Sequence, residues 1–369
     1  MSALSCDSGA GGATSGAGGA TSGAGGATSG GVCAEATRSP PAMTPRANNV
    51  AKIRCNLLPL CTLPVTFSVR RRGAKPPVGK PSILGYSRRR HKPIFARFMP
   101  ELPEVETTRR GVAPYVIGQK VTAVRIYDRR LRWPVPRDLP SRLRGRTVDL
   151  VDRRSKYLLF RFGDDTLIVH MGMSGSLRVL TAPRPRQPHD HVELEFGNGV
   201  VLRYRDPRRF GAMLWAPAAS APHPLLASLG VEPFAAEFTG DYLYRATRRR
   251  RAAIKLALMD SHLLAGVGNI YASESLFRAG IRPNRPAHRV SRAQLTRLVD
   301  SVRQTLTDAI AKGGSSLRDY VDSRGEPGYF QLGYYVYGRA SAPCRVCGAS
   351  IRSVRLGGRA TFFCPNCQR

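Results

Sequence analysis

Along residues 120–215 apolar and polar positions alternate in short runs rich in β-branched and aromatic side chains. Alternation with period two predicts strands at 120–127, 147–151, 157–162, 166–169, 191–196, 200–204 and 212–215. Two of them flank Gly197-Asn198-Gly199, a glycine-rich turn of the kind that joins antiparallel neighbours. So many strands at short spacing predict an antiparallel sandwich or barrel. Beyond about Pro233 the apolar period lengthens to that of a helix. Residues 291–312 are the clearest stretch, with Leu295, Leu298, Val299, Val302, Leu306, Ala309 and Ile310 on one face, and Gly313-Gly314 ends it. The order is strands, then helices, then a Cys-rich tail.

Residues 1–98 have neither pattern. Between positions 9 and 29 the heptad Gly-Ala-Gly-Gly-Ala-Thr-Ser is written three times, a tract without side chains large enough for a core and expected to be disordered. The apolar stretch 57–69 is broken by Pro59 and Pro64, which argues against a membrane-spanning helix, and a secretory leader would lie nearer the start behind a basic region. Three readings of this extension stay open: an Arg-rich presequence, upstream sequence translated ahead of a start at Met99, or a precursor segment removed by cleavage.

Charge narrows the partner. The 369 residues carry 58 Lys and Arg against 25 Asp and Glu, a net charge of +33. Residues 99–369 alone hold 44 basic and 23 acidic side chains, so the patterned region is basic on its own account. Such an excess points to a polyanion, nucleic acid or an acidic membrane surface, against the blander reading of a merely soluble Arg-rich protein.

Four of the eight cysteines, at positions 6, 33, 55 and 61, show no ligand-like spacing. The others form two knuckles, Cys344-x2-Cys347 and Cys364-x2-Cys367, with 16 residues between them. Four thiolates on two tight turns can surround one Zn²⁺ tetrahedrally. A pair of disulfides is the competing reading, disfavoured without a secretory signal. Between the knuckles, residues 350–363 predict a hairpin turning at Gly357-Gly358, with Arg352, Arg355 and Arg359 around it.

Three further segments carry candidate chemistry. In 264–277, Gly266 and Gly268 permit close backbone approach and Asn269 stands at a helix start, a phosphate-binding arrangement that the basic residues 248–251 and Lys255 favour over an ordinary interhelical turn. The loops 170–176 and 206–211 present Met173, Arg208 and Phe210, able to fill the hole left by an extruded base, although Met and Phe are more often core residues. The most informative stretch is Met99-Pro100-Glu101-Leu102-Pro103-Glu104-Val105-Glu106. If translation begins at Met99, its removal before the small Pro100 leaves a secondary amine that titrates near neutrality and can act as a nucleophile, with Glu101 beside it to give and take protons. The alternative is a plain helix start decorated by glutamates.

Together these residues resemble the bacterial formamidopyrimidine-DNA glycosylase family, also called 8-oxoguanine-DNA glycosylase. The resemblance covers essentially all of residues 99–369, through Pro-Glu-Leu-Pro-Glu-Val-Glu at 100–106, Arg-Ser-Lys-Tyr-Leu-Leu at 154–159, His-Met-Gly-Met-Ser-Gly-Ser-Leu-Arg at 170–178, Asp-Pro-Arg-Arg-Phe-Gly at 206–211, Gly-Val-Gly-Asn-Ile-Tyr-Ala-Ser-Glu at 266–274 and the zinc knuckles. The related endonuclease VIII branch, which acts on oxidised pyrimidines, typically begins Pro-Glu-Gly-Pro-Glu, so Leu102 and the Arg-Ser-Lys-Tyr segment favour the formamidopyrimidine side.

The resemblance implies an α+β protein: an antiparallel β-sandwich at 99–232, a helix–two-turn–helix domain at 233–333 and a zinc finger at 334–369. It implies a monomer acting on duplex DNA that contains oxidised purines or abasic sites, with one structural Zn²⁺ on Cys344, Cys347, Cys364 and Cys367, in the bacterial cytoplasm at the nucleoid and with no membrane partner. It assigns Pro100 as nucleophile at C1′, Glu101 as acid, Lys156 to phosphate contact and β-elimination, and Arg359 to δ-elimination. His189, Arg208, Arg250, Arg251 and Asn269 fall on DNA-contacting positions, Met173, Arg208 and Phe210 on the void-filling wedge, and 314–320 on the loop closing over the everted base. Two features depart from the family pattern. Arg249–Arg251 stand where lysine is common, and 98 residues precede Pro100, whose nitrogen in an uncleaved chain is an amide. A non-catalytic DNA-binding protein is therefore the alternative from another functional class.

Overall fold

The computed structural model describes residues 99–218, 222–315 and 329–369. Residues 1–98 and all of the expected closing loop beyond Ser315 lie outside the described residues.

The chain enters a helix at once. In α1 (Leu102–Val116), Pro103 suits a first turn whose amides have no intrahelical acceptor, and the Glu104 carboxylate reaches back to accept the Glu101 N–H at 2.9 Å. Then come β1 (Val121–Ile126), the short α2 (Leu139–Leu143), β2 (Leu150–Arg154), β3 (Tyr157–Phe162), β4 (Asp165–His170), β5 (Ser176–Leu180), β6 (Asp190–Phe196), β7 (Val201–Arg205) and β8 (Ala212–Ala216). They form two four-stranded antiparallel sheets, ordered β1-β6-β7-β5 and β2-β3-β4-β8. Val192, Leu194, Leu202 and Tyr204 from the first sheet join Leu158, Phe160, Phe162, Leu167 and Val169 from the second in one core. This is the expected sandwich.

Strand 157–162 falls where its alternation predicts, and most others shift by a residue. Two differences have physical reasons. The strand expected at 147–151 forms at Leu150–Arg154, because β2 is an outer strand and can carry Asp152, Arg153 and Arg154 outside the core. β5 was not expected at all. Its five residues follow a glycine-rich loop directly, and Arg178 interrupts the apolar signal. The Gly197–Gly199 hairpin joins β6 to β7, with Gly199 at φ 79°.

The helical part contains α3 (Pro224–Ala227), α4 (Gly240–Thr247), α5 (Ile254–Leu258), α6 (Asn269–Arg278) and α7 (Arg292–Ala311). The expected long helix is α7. Ser291 caps it reciprocally with Gln294, and Gly313 and Gly314 follow it at φ 72° and 80°. Its apolar stripe is buried as expected except for Ile310, which is half-buried. Helix α7 packs on α4, α6 and α1, and α1 also touches β2, β3 and β5, so the first helix ties the sandwich to the helical module. The tail is the hairpin β9 (Arg352–Leu356) and β10 (Arg359–Phe363), turning at Gly357 and Gly358 as predicted. Among the described residues no helix is long and apolar enough to cross a membrane.

Candidate active site and metal centre

The residue after Pro100 organises the site. Leu102 donates its N–H to Gly266 O at 3.0 Å, which lays the start of α1 against the turn before α6. At Gly268 a Cβ would stand 2.3 Å from the Glu101 carboxyl carbon, and at Gly266, with φ 86°, it would stand 2.8 Å from Leu102. Both glycines therefore serve close approach, but what approaches is protein. The buried Glu101 carboxylate accepts the N–H groups of Gly268 at 2.6 Å, Ile270 at 3.0 Å and Tyr271 at 3.4 Å. This corrects the phosphate reading of the turn. The free amides at the N-terminus of α6 hold a carboxylate supplied from 167 residues earlier. Burial pushes the Glu101 carboxyl above its ordinary range, against the opposing pull of the Lys156 charge and of those three amides.

Glu101 opens onto a cavity of about 300 Å³ whose lining includes Met99, Lys156, His170 and Arg359. Lys156 follows a left-handed Ser155 (φ 57°) in the β2–β3 turn. That turn is fixed by Glu232, which accepts the Ser155 N–H at 2.6 Å and pairs with Arg153 and Arg154, each at 2.9 Å. Burial lowers the Lys156 ammonium, while the Glu101 charge opposes the shift. Arg359 opens β10 and is exposed to the same cavity. Glu101, Lys156 and Arg359, far apart in sequence, are thus brought together next to Pro100.

The residues around Glu101 include several that sequence reasoning passed over. Glu104 is buried, accepts bonds from Tyr271 Oη and from the Ser315 N–H, and is raised to about 7 by burial and then by the neighbouring Glu101 charge. Burial, then Lys156 and Arg132, lower His170 to about 4, so it lines the cavity as a neutral ring near pH 7. Both lie inside the quoted motifs, which was the available signal.

Lys255 is a correction: grouped with the basic residues 248–251, it is instead fully buried. Its ammonium donates to Asn269 Oδ1 at 2.6 Å, Thr361 Oγ1 at 2.8 Å and Ala360 O at 3.3 Å, and burial lowers it to about 7. Asn269 in turn donates to Ala360 O at 3.1 Å and Tyr337 Oη at 3.2 Å. These bonds fasten the Arg359-bearing hairpin to α6. Replacing Lys255 by Met removes the donor from Thr361 Oγ1 and Asn269 Oδ1 and leaves Ala360 O with Asn269 alone, and the expected cost is roughly 2–4 kcal/mol. Denaturant unfolding checks it, and an unchanged midpoint would mean that the clasp contributes nothing.

The wedge candidates lie on two joined loops. Asp206 is buried and its carboxylate accepts Ser174 Oγ–H at 2.8 Å, the Gly211 N–H at 2.8 Å and the Arg208 N–H at 3.2 Å. A Cβ on Gly172 would collide with the Phe210 backbone at 2.4 Å, so the loops are in contact. Phe210 is 44% exposed with the Arg208 guanidinium 4.8 Å from its ring, and Met173 is half-buried. The core reading of Phe210 is therefore excluded. His189 is exposed at φ 73° and lies in a different hollow, with Tyr127, Arg186 and Arg209. Arg251 is exposed, whereas Arg250 is paired with Asp260 at 2.7 Å.

At the tail the four sulfurs of Cys344, Cys347, Cys364 and Cys367 lie within 4.8 Å of one another. Cys347 and Cys364 are 3.4 Å apart, and Cys344 and Cys367 3.9 Å. A disulfide needs about 2.05 Å, whereas four Zn–S bonds of about 2.3 Å in a tetrahedron put sulfurs about 3.8 Å apart. The residues fit one structural Zn²⁺. Backbone amides of Val346 and Cys367 point at Cys344 and Cys364 sulfurs, each at 3.4 Å, as metal-bound thiolates favour.

Three family models match the chain: the formamidopyrimidine-DNA glycosylase N-terminal domain over residues 99–213, the formamidopyrimidine-DNA glycosylase H2TH domain over 229–321, and a zinc finger found in FPG and IleRS over 342–369. The formamidopyrimidine-DNA glycosylase of Burkholderia thailandensis is 57% identical over 277 residues, which is 73% of this chain and all of that protein. That of Stutzerimonas stutzeri is 54% identical over 271 residues, again its full length. Among solved structures, the MutM (FPG) protein of Thermus thermophilus matches with a TM-score of 0.65 at 39% identity, over 73% of this chain and 98% of that one. A Lactococcus lactis FPG mutant in complex with Fapy-dG-containing DNA matches with a TM-score of 0.68 at 36% identity, over 73% and 100%. The chain belongs to the formamidopyrimidine-DNA glycosylase family.

Proposed function

We propose that Pro100, once its nitrogen is free, attacks C1′ of an oxidised purine nucleoside in duplex DNA, with Glu101 as the acid. The chain is a DNA-formamidopyrimidine glycosylase that excises oxidised purines, and the family's companion activity is cleavage at the abasic site. What carries the mechanistic reading is the meeting of Glu101, Lys156 and Arg359 at one cavity beside Pro100. Holding DNA alone does not call for a carboxyl, a lysine and an arginine to converge on one cavity beside Pro100.

The bond from C1′ to the base breaks as the Pro100 nitrogen bonds to C1′ and sheds its proton, and Glu101 delivers a proton to the sugar-ring oxygen or the departing base. The C1′–O4′ bond then opens with its oxygen protonated to leave an iminium at C1′. The resulting imine acidifies the neighbouring C2′–H, and loss of that proton expels the 3′ phosphate. Lys156 grips phosphate near the lesion and assists this β-elimination, and Arg359 serves the δ-elimination that follows. Met173, Arg208 and Phe210 fill the vacated stack, and His189, Arg250, Arg251 and Asn269 hold the backbone. Asn269 does so from a network with Lys255 that also fixes the zinc hairpin, and Arg250 does so on exchanging its Asp260 partner for phosphate. Relatives crystallised with Fapy-dG-containing and abasic-site DNA support this substrate class. The enzyme works as a monomer in the bacterial cytoplasm, at the nucleoid.

Glu101→Gln tests the acid. With Pro100 free, base excision should fall by about 10²–10⁴-fold, while cleavage at a pre-formed abasic site, which has no base to protonate, falls far less. Because burial raises the carboxyl, wild-type excision should decline as pH rises through that raised value, and abasic-site cleavage should lack this limb. Equal losses on both substrates would remove Glu101 from the acid role.

A further inference from the structure

The outer face of the sheet β1-β6-β7-β5 carries a row of charges set by register. Arg125 on β1 pairs with Glu193 on β6, Glu193 with Arg203 on β7, and Arg203 with Arg178 on β5. Directly opposed residues of antiparallel neighbours share a face, so these four side chains stand on one side of the sheet. Arg205, two residues beyond Arg203, is on that side too.

The acidic groups there are already engaged. Glu193 accepts Arg203 Nε at 2.5 Å and Tyr127 Oη at 2.7 Å. Asp190 accepts the Gln187 N–H at 2.7 Å and lies 3.3 Å from Arg203. Glu195 pairs with Arg125 at 2.9 Å. Arg203 also donates to the carbonyl oxygens of Arg184 at 2.8 Å and Pro185 at 3.0 Å, which draws the Pro- and Arg-rich loop 182–189 over the sheet.

What remains is an excess of arginines around Asp190, whose carboxylate is shared with Arg203 and the Gln187 N–H. Among the described residues Arg178, Arg184 and Arg205 have no ion pair, and Arg205 reaches only the neutral Gln187, at 2.7 Å. The Arg178 Nε is buried and has no hydrogen-bond partner. Burial and then the Arg205 charge lower its guanidinium, the Asp190 carboxylate opposes that, and Arg184 and Arg203 add to the lowering, while Arg178 stands directly opposite Arg203 and Asp190 directly opposite Arg205. Like charges directly opposite across strands, as Arg178 and Arg203 are, destabilise a sheet.

We propose that Arg178, Arg184 and Arg205 form a phosphate-binding site on the outer face of this sheet. Guanidinium forks match phosphate oxygens in planar, paired hydrogen bonds, and several forks around one oxyanion satisfy more than one charge. The position suggests which phosphate. β5 starts immediately after the Met173 loop and β7 ends immediately before the Asp206–Phe210 loop, and Arg205 is paired with Ser176 at that end. A duplex held by the wedge runs past this edge, so a phosphodiester flanking the lesion is the expected occupant. That part rests on the DNA reading above. A free phosphate group is the other source of the same chemistry.

The test uses the full-length chain. Inorganic phosphate should raise its melting temperature more than chloride at matched ionic strength, and Arg178→Gln or the exposed Arg184→Gln should abolish the difference. Arg125→Gln, on the same face but paired with Glu195, should leave it intact. In parallel, log K for a duplex is plotted against log[salt], where one lost phosphate contact flattens the slope by about 0.9. A flatter slope in Arg184→Gln identifies the duplex as the source, whether or not free phosphate also binds. Loss of the phosphate response with an unchanged slope identifies a free phosphate group. If neither readout moves, the site is wrong. A wild-type slope near zero would instead overturn the DNA reading, while the phosphate arm still decides the site.

Discussion

A chain that begins at Pro100 should form a borohydride-trapped covalent adduct with duplex DNA containing 8-oxoguanine, and the 369-residue chain with its Met1 end intact should form none. The difference is expected to be all or nothing. A free prolyl α-amine titrates near 8, so an appreciable fraction is an unprotonated secondary amine at neutral pH. With Met99 attached, the same nitrogen is a tertiary amide whose lone pair is delocalised into the carbonyl, and it cannot attack C1′ or form an imine. Met99 also lines the cavity that Glu101, Lys156 and Arg359 share, so a residue ahead of Pro100 occupies space that the reacting sugar needs. Chemical and steric blocks act together. The uncleaved chain should still bind the duplex, because the basic loops and the zinc hairpin do not depend on the Pro100 nitrogen. Trapping is read on a denaturing gel, and mass spectrometry verifies the first residue of each preparation. Robust trapping by a chain proven to start at Met1 would move the nucleophile to a lysine. Lys156 is the one to replace first, since it faces the cavity, whereas the Lys255 ammonium is buried in its clasp.

The parts of the site legible in the sequence are those whose chemistry is local. Two Cys-x2-Cys knuckles specify a metal geometry within a few residues, and the run from Met99 to Glu106 places the Pro100 nitrogen and a carboxyl side by side. Strand alternation was legible for the same reason, because each residue reports which way its own side chain points. Long-range partners were not. Nothing near Gly268 says that the anion at the head of α6 is Glu101, since the pairing is created only when α1 docks on that turn. Free amides at a helix start attract any anion, and local sequence cannot separate a phosphate from a carboxylate of the same chain. Lys255 was misread because a lysine four residues past an Arg run suggests a basic surface. The helical phase of α5 instead turns it inward, toward Asn269 and Thr361. Arg250 is similar: its charge is visible in the sequence, and its Asp260 partner is not. Glu232 has no motif at all, yet it sets the turn that presents Lys156.

Removing zinc should release the tail from the helical module and lower DNA affinity without touching the Pro100 chemistry directly. Residues 342–369 are too few to fold on apolar burial alone, and structural zinc contributes on the order of 10 kcal/mol to such a module. Four thiolates also hold together strands that otherwise share only a two-stranded hairpin, which is marginal in water. Contacts to the helical part fasten the hairpin in place. Lys255 reaches Thr361 and Ala360, the Gln368 side chain donates to Ile281 O at 2.8 Å, and Tyr337 meets Phe362 edge to face with centroids 5.3 Å apart. When the knuckles open, these contacts lose their common scaffold, and Arg359 leaves the cavity with β10. Cys364→Ser should therefore abolish stoichiometric zinc, expose the tail to proteolysis and weaken duplex binding, with δ-elimination lost before imine formation at an abasic site. Elemental analysis counts the metal, limited proteolysis reports the tail, and gel analysis separates β- from δ-elimination products. Full duplex affinity in a chelated protein shown to be free of metal would mean that the hairpin holds its place by packing alone.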